Sequence, residues 1–199
     1  RPVLTFSRQD LVRKKHFSKD LKTELLFVGR VTREKGIEEL YTALNELAVN
    51  GYDFHLNIIG NGPLAAKEFL PFAIKEKVSF AGFISDHDKL AEFYKQADIF
   101  VLPTHFEAFP RVLYEAMTWG LSIVTTFVNG IPALMSENQN CLRIEAHQAA
   151  SISRKLQKLF EDPELMQKTS AGGIATMEKF FNNLPDSNAE LLYKGIQSK

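Results

Sequence analysis

Short apolar runs alternate with stretches of helical periodicity along most of the chain. Each apolar run ends in glycine or polar residues, which is typical of a buried strand that leads into a loop. Alternating strands and helices predict an α/β, Rossmann-like fold, with a mostly parallel sheet of about six strands and helices on both faces. The predicted strands are 25–28, 54–59, 78–81, 98–102, 121–126 and 141–144.

Between the strands, apolar residues recur at three- and four-residue spacing, as they do at Ile37, Leu40, Tyr41 and Leu44. Asp86 is expected to cap one of the resulting helices. From Ala146 onward the pattern is helical throughout. The predicted helices are 37–49, 63–75, 88–97, 110–117, 148–160, 163–181 and 189–196.

The segment 103–117 contains the most informative residues, because it follows a buried strand and runs into a helix. Pro110 is expected in the first helical turn, where its missing N–H costs nothing. Two carboxylates, Glu107 and Glu115, lie on either side of it. A carboxylate can accept two hydrogen bonds from the vicinal diol of a ribose, and a helix N-terminus attracts phosphate. One helix could therefore bind a nucleotide; the alternative is a solvent-facing Glu115 and a Glu107 with only local contacts.

Two cations form a second candidate site for phosphate. Gly29 and Arg30 close the first strand, and Lys35 precedes the first helix. In a parallel sheet these residues share the carboxyl edge with the segment 103–117, and the arginine fork is suited to a diphosphate. The alternative is that Arg30 and Lys35 are two ordinary surface cations.

The segment 60–65 is a competing motif, because it matches G-x-G-x-x-G/A after a strand and would indicate a dinucleotide site. Pro63 removes a backbone donor from the loop, and the motif follows the second strand. The next strand closes on Gly82 without an acidic residue. We therefore interpret the motif as a tight turn, with Pro63 at the start of a helix.

Composition and charge exclude several classes of protein. The chain has 24 basic and 24 acidic residues, so it lacks the basic footprint of a general nucleic-acid binder. No apolar run approaches the roughly 20 residues of a membrane span, and no signal peptide opens the chain. The single cysteine, Cys141, favours a reducing, cytoplasmic location. The five histidines are scattered in sequence, which predicts no zinc-like cluster.

The order of these motifs resembles the C-terminal, nucleotide-sugar-binding domain of retaining glycosyltransferases with the GT-B fold, family 4. The resemblance covers roughly residues 24 to 181. The matching stretches are FVGRVTREKGIEEL, LNIIGNGP, VSFAGFI, LAEFYKQADIFVLPTHFEAFPRVLYEAMTWG and NGIP.

The resemblance implies transfer of a sugar from a nucleotide donor with retention of configuration. Arg30 and Lys35 match the pair that neutralises the diphosphate of the leaving group. Glu115 matches the carboxylate that binds the ribose, and Glu107 matches the one that contacts the donor sugar. With these groups in place, no metal and no further cofactor is expected.

The family also implies contacts made largely by the backbone. Residues 82–84 would contact the base, and the backbone N–H groups of Phe109, Arg111 and Val112 would contact the phosphate or sugar. Ala108 and Pro110 stand where relatives often have glycine. The methyl group of Ala108 is expected to narrow the pocket for the donor sugar, and Pro110 lacks the backbone N–H that a glycine would offer. Ala133 stands where relatives often carry glutamate. The expected donor-binding residues are Gly29, Gly82, Phe83, Ile84, Ala108, Phe109, Arg111, Val112 and Glu115.

A complete enzyme of this kind has two Rossmann-like domains. We therefore interpret 1–22 as a basic lead-in from a missing N-terminal domain, 23–181 as the donor-binding domain and 182–199 as a C-terminal crossover helix. The chain does not start with methionine, so we expect a fragment or a processed product that is inactive without its other half.

The expected partners are a UDP-, GDP- or ADP-linked sugar, the N-terminal acceptor domain and a glycan or lipid-linked acceptor of polysaccharide or glycolipid synthesis, with no nucleic acid. A lipid-linked acceptor would bring the protein to the inner face of a membrane. Two alternatives stay open: a non-catalytic nucleotide-binding or regulatory module, and a sugar-nucleotide epimerase.

Overall fold

A computed structural model describes residues 6–12, 17 and 22–183. These residues form one six-stranded sheet in the order β3-β2-β1-β4-β5-β6, in which every neighbouring pair is parallel. The predicted fold class is thus confirmed. The strands are β1 Thr23–Val28, β2 Phe54–Ile59, β3 Val78–Gly82, β4 Ile99–Leu102, β5 Ser122–Thr126 and β6 Leu142–Ile144.

Five α-helices accompany the sheet within the described residues. The second helix, α2 (His87–Gln96), starts as predicted, because the Asp86 carboxylate accepts hydrogen bonds from the backbone N–H groups of Asp88 and Lys89. The first helix packs against the fourth, and the third against the fifth. None of these helices is both long and apolar enough to cross a membrane. Their bounds are α1 Ile37–Val49, α2 His87–Gln96, α3 Arg111–Thr118, α4 Ala149–Glu161 and α5 Pro163–Asn182.

The predicted helix over 63–75 is wrong. The structure has two short 3₁₀ turns there, Lys67–Phe69 and Phe72–Ile74. Pro71 separates them, because it supplies no N–H to a helix and holds Leu70 before it in an extended conformation. Leu64, Leu70 and Ile74 are buried, whereas Phe69 and Phe72 are exposed, so the apolar spacing of this stretch does not form one helical face.

Residues 6–12, part of the predicted lead-in, pack against the domain. Phe6 is buried and meets the ring of Phe181 edge-on, with the ring centroids 6.2 Å apart. The backbone N–H of Val12 donates to the carbonyl of Thr118 at 3.0 Å. The basic run at 13–16 and the predicted helix 189–196 lie outside the described residues.

The strand order defines where a ligand can bind. The chain leaves β1 towards β2 and β3 on one side, whereas β4, β5 and β6 continue on the other side. In open parallel sheets such a reversal creates a crevice at the carboxyl ends of the two central strands. The loops that follow β1 and β4 lie at this reversal, and they contain Arg30, Lys35 and Glu107.

Candidate functional site

A cleft of about 540 Å³ opens at the carboxyl edge of the sheet. It lies between the loops that follow β1, β2 and β3 and the first turns of α2 and α3. His87 and Leu90 of α2 also line it, although no motif in the sequence indicates them. The predicted residues that line the cleft are Gly29, Arg30, Phe83, Ile84, Arg111, Val112 and Glu115.

Glu115 is buried in the wall of this cleft, with only 7% of its surface exposed. The alternative of a solvent-facing Glu115 is therefore wrong. A buried carboxylate needs strong donors, and the hydroxyl of Tyr94 donates to Glu115 Oε2 at 2.7 Å. Burial and the neighbouring carboxylate raise the pKa of Tyr94 well above its usual value, so this hydroxyl stays protonated.

Tyr94 is a residue that sequence reasoning missed. It lies at an apolar position of α2, and its ring stacks on Phe100 of β4 with the centroids 6.0 Å apart. This position looks like ordinary core packing in the sequence. The hydroxyl of Tyr94 nevertheless helps to orient the Glu115 carboxylate in the wall of the cleft.

Replacing Tyr94 by phenylalanine is expected to weaken nucleotide binding by about 0.5–1.5 kcal/mol, the usual value of one hydrogen bond. The ring packing would remain, but Glu115 would lose one hydrogen bond that orients its carboxylate. Calorimetric titration measures the change. Tyr41→Phe is the matched control, since the buried Tyr41 hydroxyl donates to the carbonyl of Leu64 at 3.0 Å. Equal losses in both variants would contradict the positioning role.

Arg30 lines the same cleft as Glu115. Its side chain is 70% exposed, and its guanidinium lies 3.6 Å from the carboxylate of Glu34. Exposed ion pairs of this kind contribute little free energy. The guanidinium is therefore available to exchange Glu34 for an anionic ligand.

Lys35 and Glu107 contact each other directly. Lys35 Nζ lies 2.8 Å from Glu107 Oε2 and donates to the carbonyl of Phe106 at 3.3 Å, and both charged side chains are largely buried. Among the described residues that line the cleft, neither of the two appears. The pair thus joins the loop after β1 to the loop after β4 beside the cleft.

Backbone contacts hold these two loops together. The N–H of His105 donates to the carbonyl of Glu34 at 2.8 Å. Gly36 has φ of 70°, and a Cβ on it would lie 2.1 Å from the carbonyl oxygen of Pro103. Only glycine fits such a close approach. The loop that contains Glu107 is therefore positioned by the loop after β1 as well as by β4, the strand that it follows.

The start of α3 differs from the prediction in one detail. Pro110 stands immediately before the helix rather than in its first turn. The N–H of Arg111 donates to the carbonyl of Phe109 at 2.9 Å, so this backbone donor is already used within the chain. Phe109 stacks on Tyr114, with ring centroids 5.6 Å apart, and is 44% exposed. Ala108 faces Gly130, whose N–H donates to the carbonyl of Glu107 at 3.1 Å.

A family model, Glycosyl transferases group 1, matches residues 8–175 of the chain. The chain belongs to this family. The matched region includes the whole sheet and every residue of the cleft described above.

Relatives of this group 1 chain are longer than the chain itself. It is 27% identical over 158 residues to alpha-D-kanosaminyltransferase from Streptomyces kanamyceticus, covering 78% of this chain and 41% of the relative. The chain is also 27% identical over 161 residues to CapM, a capsular polysaccharide biosynthesis glycosyltransferase from Staphylococcus aureus. This match covers 79% of the chain and 42% of CapM. The chain thus spans about two fifths of the curated relatives it matches.

Solved structures share the fold. The C-terminal domain of a group 1 glycosyl transferase, LpcC from Francisella tularensis, superposes with a TM-score of 0.70 at 25% identity, covering 79% of this chain and 85% of that one. The Anabaena protein HepE, solved in complex with UDP-glucose, has a TM-score of 0.71 at 16% identity, covering 91% of this chain and 50% of HepE.

In this group 1 domain, the glycines of the competing dinucleotide motif have a packing role. A Cβ on Gly60 would lie 2.0 Å from the carbonyl oxygen of Gly29, and one on Gly62 would lie 2.2 Å from that of Val31. The N–H of Val31 donates to the carbonyl of Asn61 at 3.0 Å. Both glycines therefore allow the loop after β2 to approach the loop after β1 closely. No α-helix starts at Pro63 in the described structure, contrary to the prediction.

Gly62→Ala is expected to destabilise the domain by about 1–2 kcal/mol, because the added methyl group overlaps backbone that cannot move aside. Thermal unfolding measures this loss. Gly173→Ala is the control, since its Cβ would meet the flexible Met117 side chain at 3.1 Å. A Gly62→Ala protein of unchanged stability with weakened NAD binding would support the dinucleotide interpretation instead.

Proposed function

We propose that this group 1 chain is the donor-binding half of a retaining glycosyltransferase. It would transfer a sugar from a nucleotide-diphosphate sugar to a glycan or lipid-linked acceptor without a metal ion, as family 4 enzymes do. The observation that carries the proposal is the buried Glu115 in the wall of the cleft at the reversal of strand order, with Arg30 in the lining of the same cleft.

The nucleotide would bind along this cleft. The Tyr94 hydroxyl donates to Glu115 Oε2, and a carboxylate can accept several hydrogen bonds, which suits the two hydroxyls of a ribose. Phe83 and Ile84, after β3, offer an apolar wall for the base. HepE, which shares this fold, was solved in complex with UDP-glucose, and this supports a nucleotide sugar as the ligand.

The diphosphate would lie between Arg30 and the first turn of α3. When the bond between the anomeric carbon and the phosphate oxygen breaks, negative charge grows on the leaving diphosphate. Fixed positive charge stabilises such a transition state, which is the role we assign to Arg30 and Lys35. Donor binding would require Lys35 to share its contact with Glu107, and Glu107 would then turn its carboxylate to the hydroxyls of the sugar.

The acceptor would be held by a separate N-terminal domain that faces this edge of the sheet. The chain spans about two fifths of its curated relatives, 41% and 42% for the two named above, which leaves length for such a domain. Phe83, Phe106 and Phe109 are exposed near the cleft and suit contact with a second domain or with a sugar.

Coexpression with an N-terminal acceptor domain tests this function. Sugar-nucleotide hydrolysis in EDTA should require both halves, and the released sugar should first have the anomeric configuration of the donor, as followed by NMR. Inversion would contradict retention, and activity that EDTA abolishes and Mg²⁺ or Mn²⁺ restores would contradict metal independence. Nucleotide binding without turnover in any pairing would favour the regulatory module.

A further inference from the structure

The fold brings two histidines together that are far apart in sequence. His105 lies in the loop after β4, and His147 in the turn between β6 and α4. Both meet Glu39 of α1, so the prediction that the histidines form no zinc-like cluster is wrong. We call Glu39, His105 and His147 the histidine cluster.

The ligand atoms of the histidine cluster all lie within 4.8 Å of one another. His105 Nε2 is 3.1 Å from Glu39 Oε1, and His147 Nδ1 is 3.8 Å from the same oxygen. The two imidazole rings are adjacent, with centroids 3.7 Å apart. Zinc bonds of about 2.0–2.2 Å place the ligand atoms of a tetrahedral site roughly 3.4 Å apart. The observed separations need only small side-chain shifts to reach this geometry.

A second observation concerns the hydrogen bonding of His105. Its Nε2 atom is buried and, within the described part of the chain, makes no hydrogen bond, although Glu39 Oε1 is near. Buried polar nitrogens nearly always have a partner. The N–H direction does not suit the carboxylate, whereas a metal ion between the two atoms would satisfy both at once.

We propose that the histidine cluster is a binding site for a divalent transition metal, with Zn²⁺ as the best fit. Two imidazoles and one carboxylate are a common zinc ligand set, completed by water. His147 is 69% exposed, so the ion and the water can enter from its side. Glu39 and His105 are mostly buried and form the inner wall of the site.

The metal would join three segments: α1, the loop after β4 and the turn after β6. His105 precedes Glu107 by two residues, so the ion would stabilise the loop that presents Glu107. It would not take part in sugar transfer. The inference goes beyond the proposed function, because the site can be tested without any nucleotide.

Calorimetric titration of tag-free, EDTA-treated protein with ZnCl₂ is the test, together with the visible absorption of added Co²⁺, which reports tetrahedral coordination. We expect one equivalent to bind. Glu39→Gln, His105→Ala and His147→Asn should each weaken binding by more than roughly tenfold, the loss caused even by removing outer-shell partners of metal ligands. Asparagine suits position 147, where φ is 62°.

His55→Ala is the control, since this histidine contacts Ser79 at the other end of the sheet order, 2.9 Å away, and should leave zinc binding unchanged. Thermal unfolding without metal confirms that each variant folds. The proposal is overturned if Zn²⁺ does not bind, or if it binds equally well to all three cluster variants. Either result would make the cluster an ordinary contact between imidazoles and a carboxylate.

Discussion

Glu115→Ala is expected to weaken binding of the preferred ribonucleoside diphosphate by about 1–3 kcal/mol, because two hydrogen bonds to a carboxylate are lost. This corresponds to roughly 5- to 150-fold in the dissociation constant. Calorimetric titration of the ribonucleotide and of its deoxyribose analogue gives the two affinities needed. The wild-type protein should bind the deoxy analogue less tightly, whereas the variant should hardly distinguish the two.

Glu115→Gln is the matched comparison. Glutamine has nearly the same shape as glutamate and keeps one acceptor oxygen. The loss in ribonucleotide binding free energy should therefore be smaller than in the alanine variant. Removal of Glu115 also leaves the Tyr94 hydroxyl without its 2.7 Å partner, so binding is measured well below the unfolding temperature. A Glu115→Ala protein that binds the ribonucleotide as tightly as wild type would disprove the ribose assignment.

Arg30→Ala is expected to cost about 1.5–3 kcal/mol in nucleoside diphosphate binding, the range for hydrogen bonds to charged groups. The variant should bind the corresponding nucleoside almost as tightly as wild type does, because the nucleoside lacks the phosphates. The difference between the two ligands isolates the diphosphate contact from any general effect on the cleft.

A neighbouring arginine provides the control. Arg33 is 79% exposed, pairs with Glu38 at 3.0 Å and lies in the same loop, but it does not line the cleft. Arg33→Ala changes the net charge by the same amount and should leave both affinities nearly unchanged. If Arg30→Ala weakened the binding of the diphosphate and of the nucleoside equally, Arg30 would not be a phosphate-binding residue.

Much of the fold was predictable because its signals are local. The apolar runs of β4 and β5 are fully buried, as continuous hydrophobicity in a parallel sheet requires. The cap at Asp86 and the proline at the start of α5 likewise mark helix ends within a few residues. The order of the strands also brings Arg30 and Glu115 to one edge, as the sequence pattern indicated.

The remaining features depend on contacts between distant segments. Tyr94 and Glu115 meet only because the fold brings α2 and α3 together, and the sequence contains no sign of their hydrogen bond. His105 and His147 are brought together by the fold in the same way. At 63–75, apolar spacing indicated a helix, but Pro71 and the close approach of Gly62 to Val31 prevent one.

The central claim is that this cleft binds a nucleoside diphosphate without a metal. Parallel calorimetric titrations with UDP, GDP, ADP and NAD, all in EDTA, test it most directly. We predict saturable binding of one nucleoside diphosphate in preference to NAD, which would also identify the donor class. Preference for NAD, or no binding by any of the four ligands, would contradict the account.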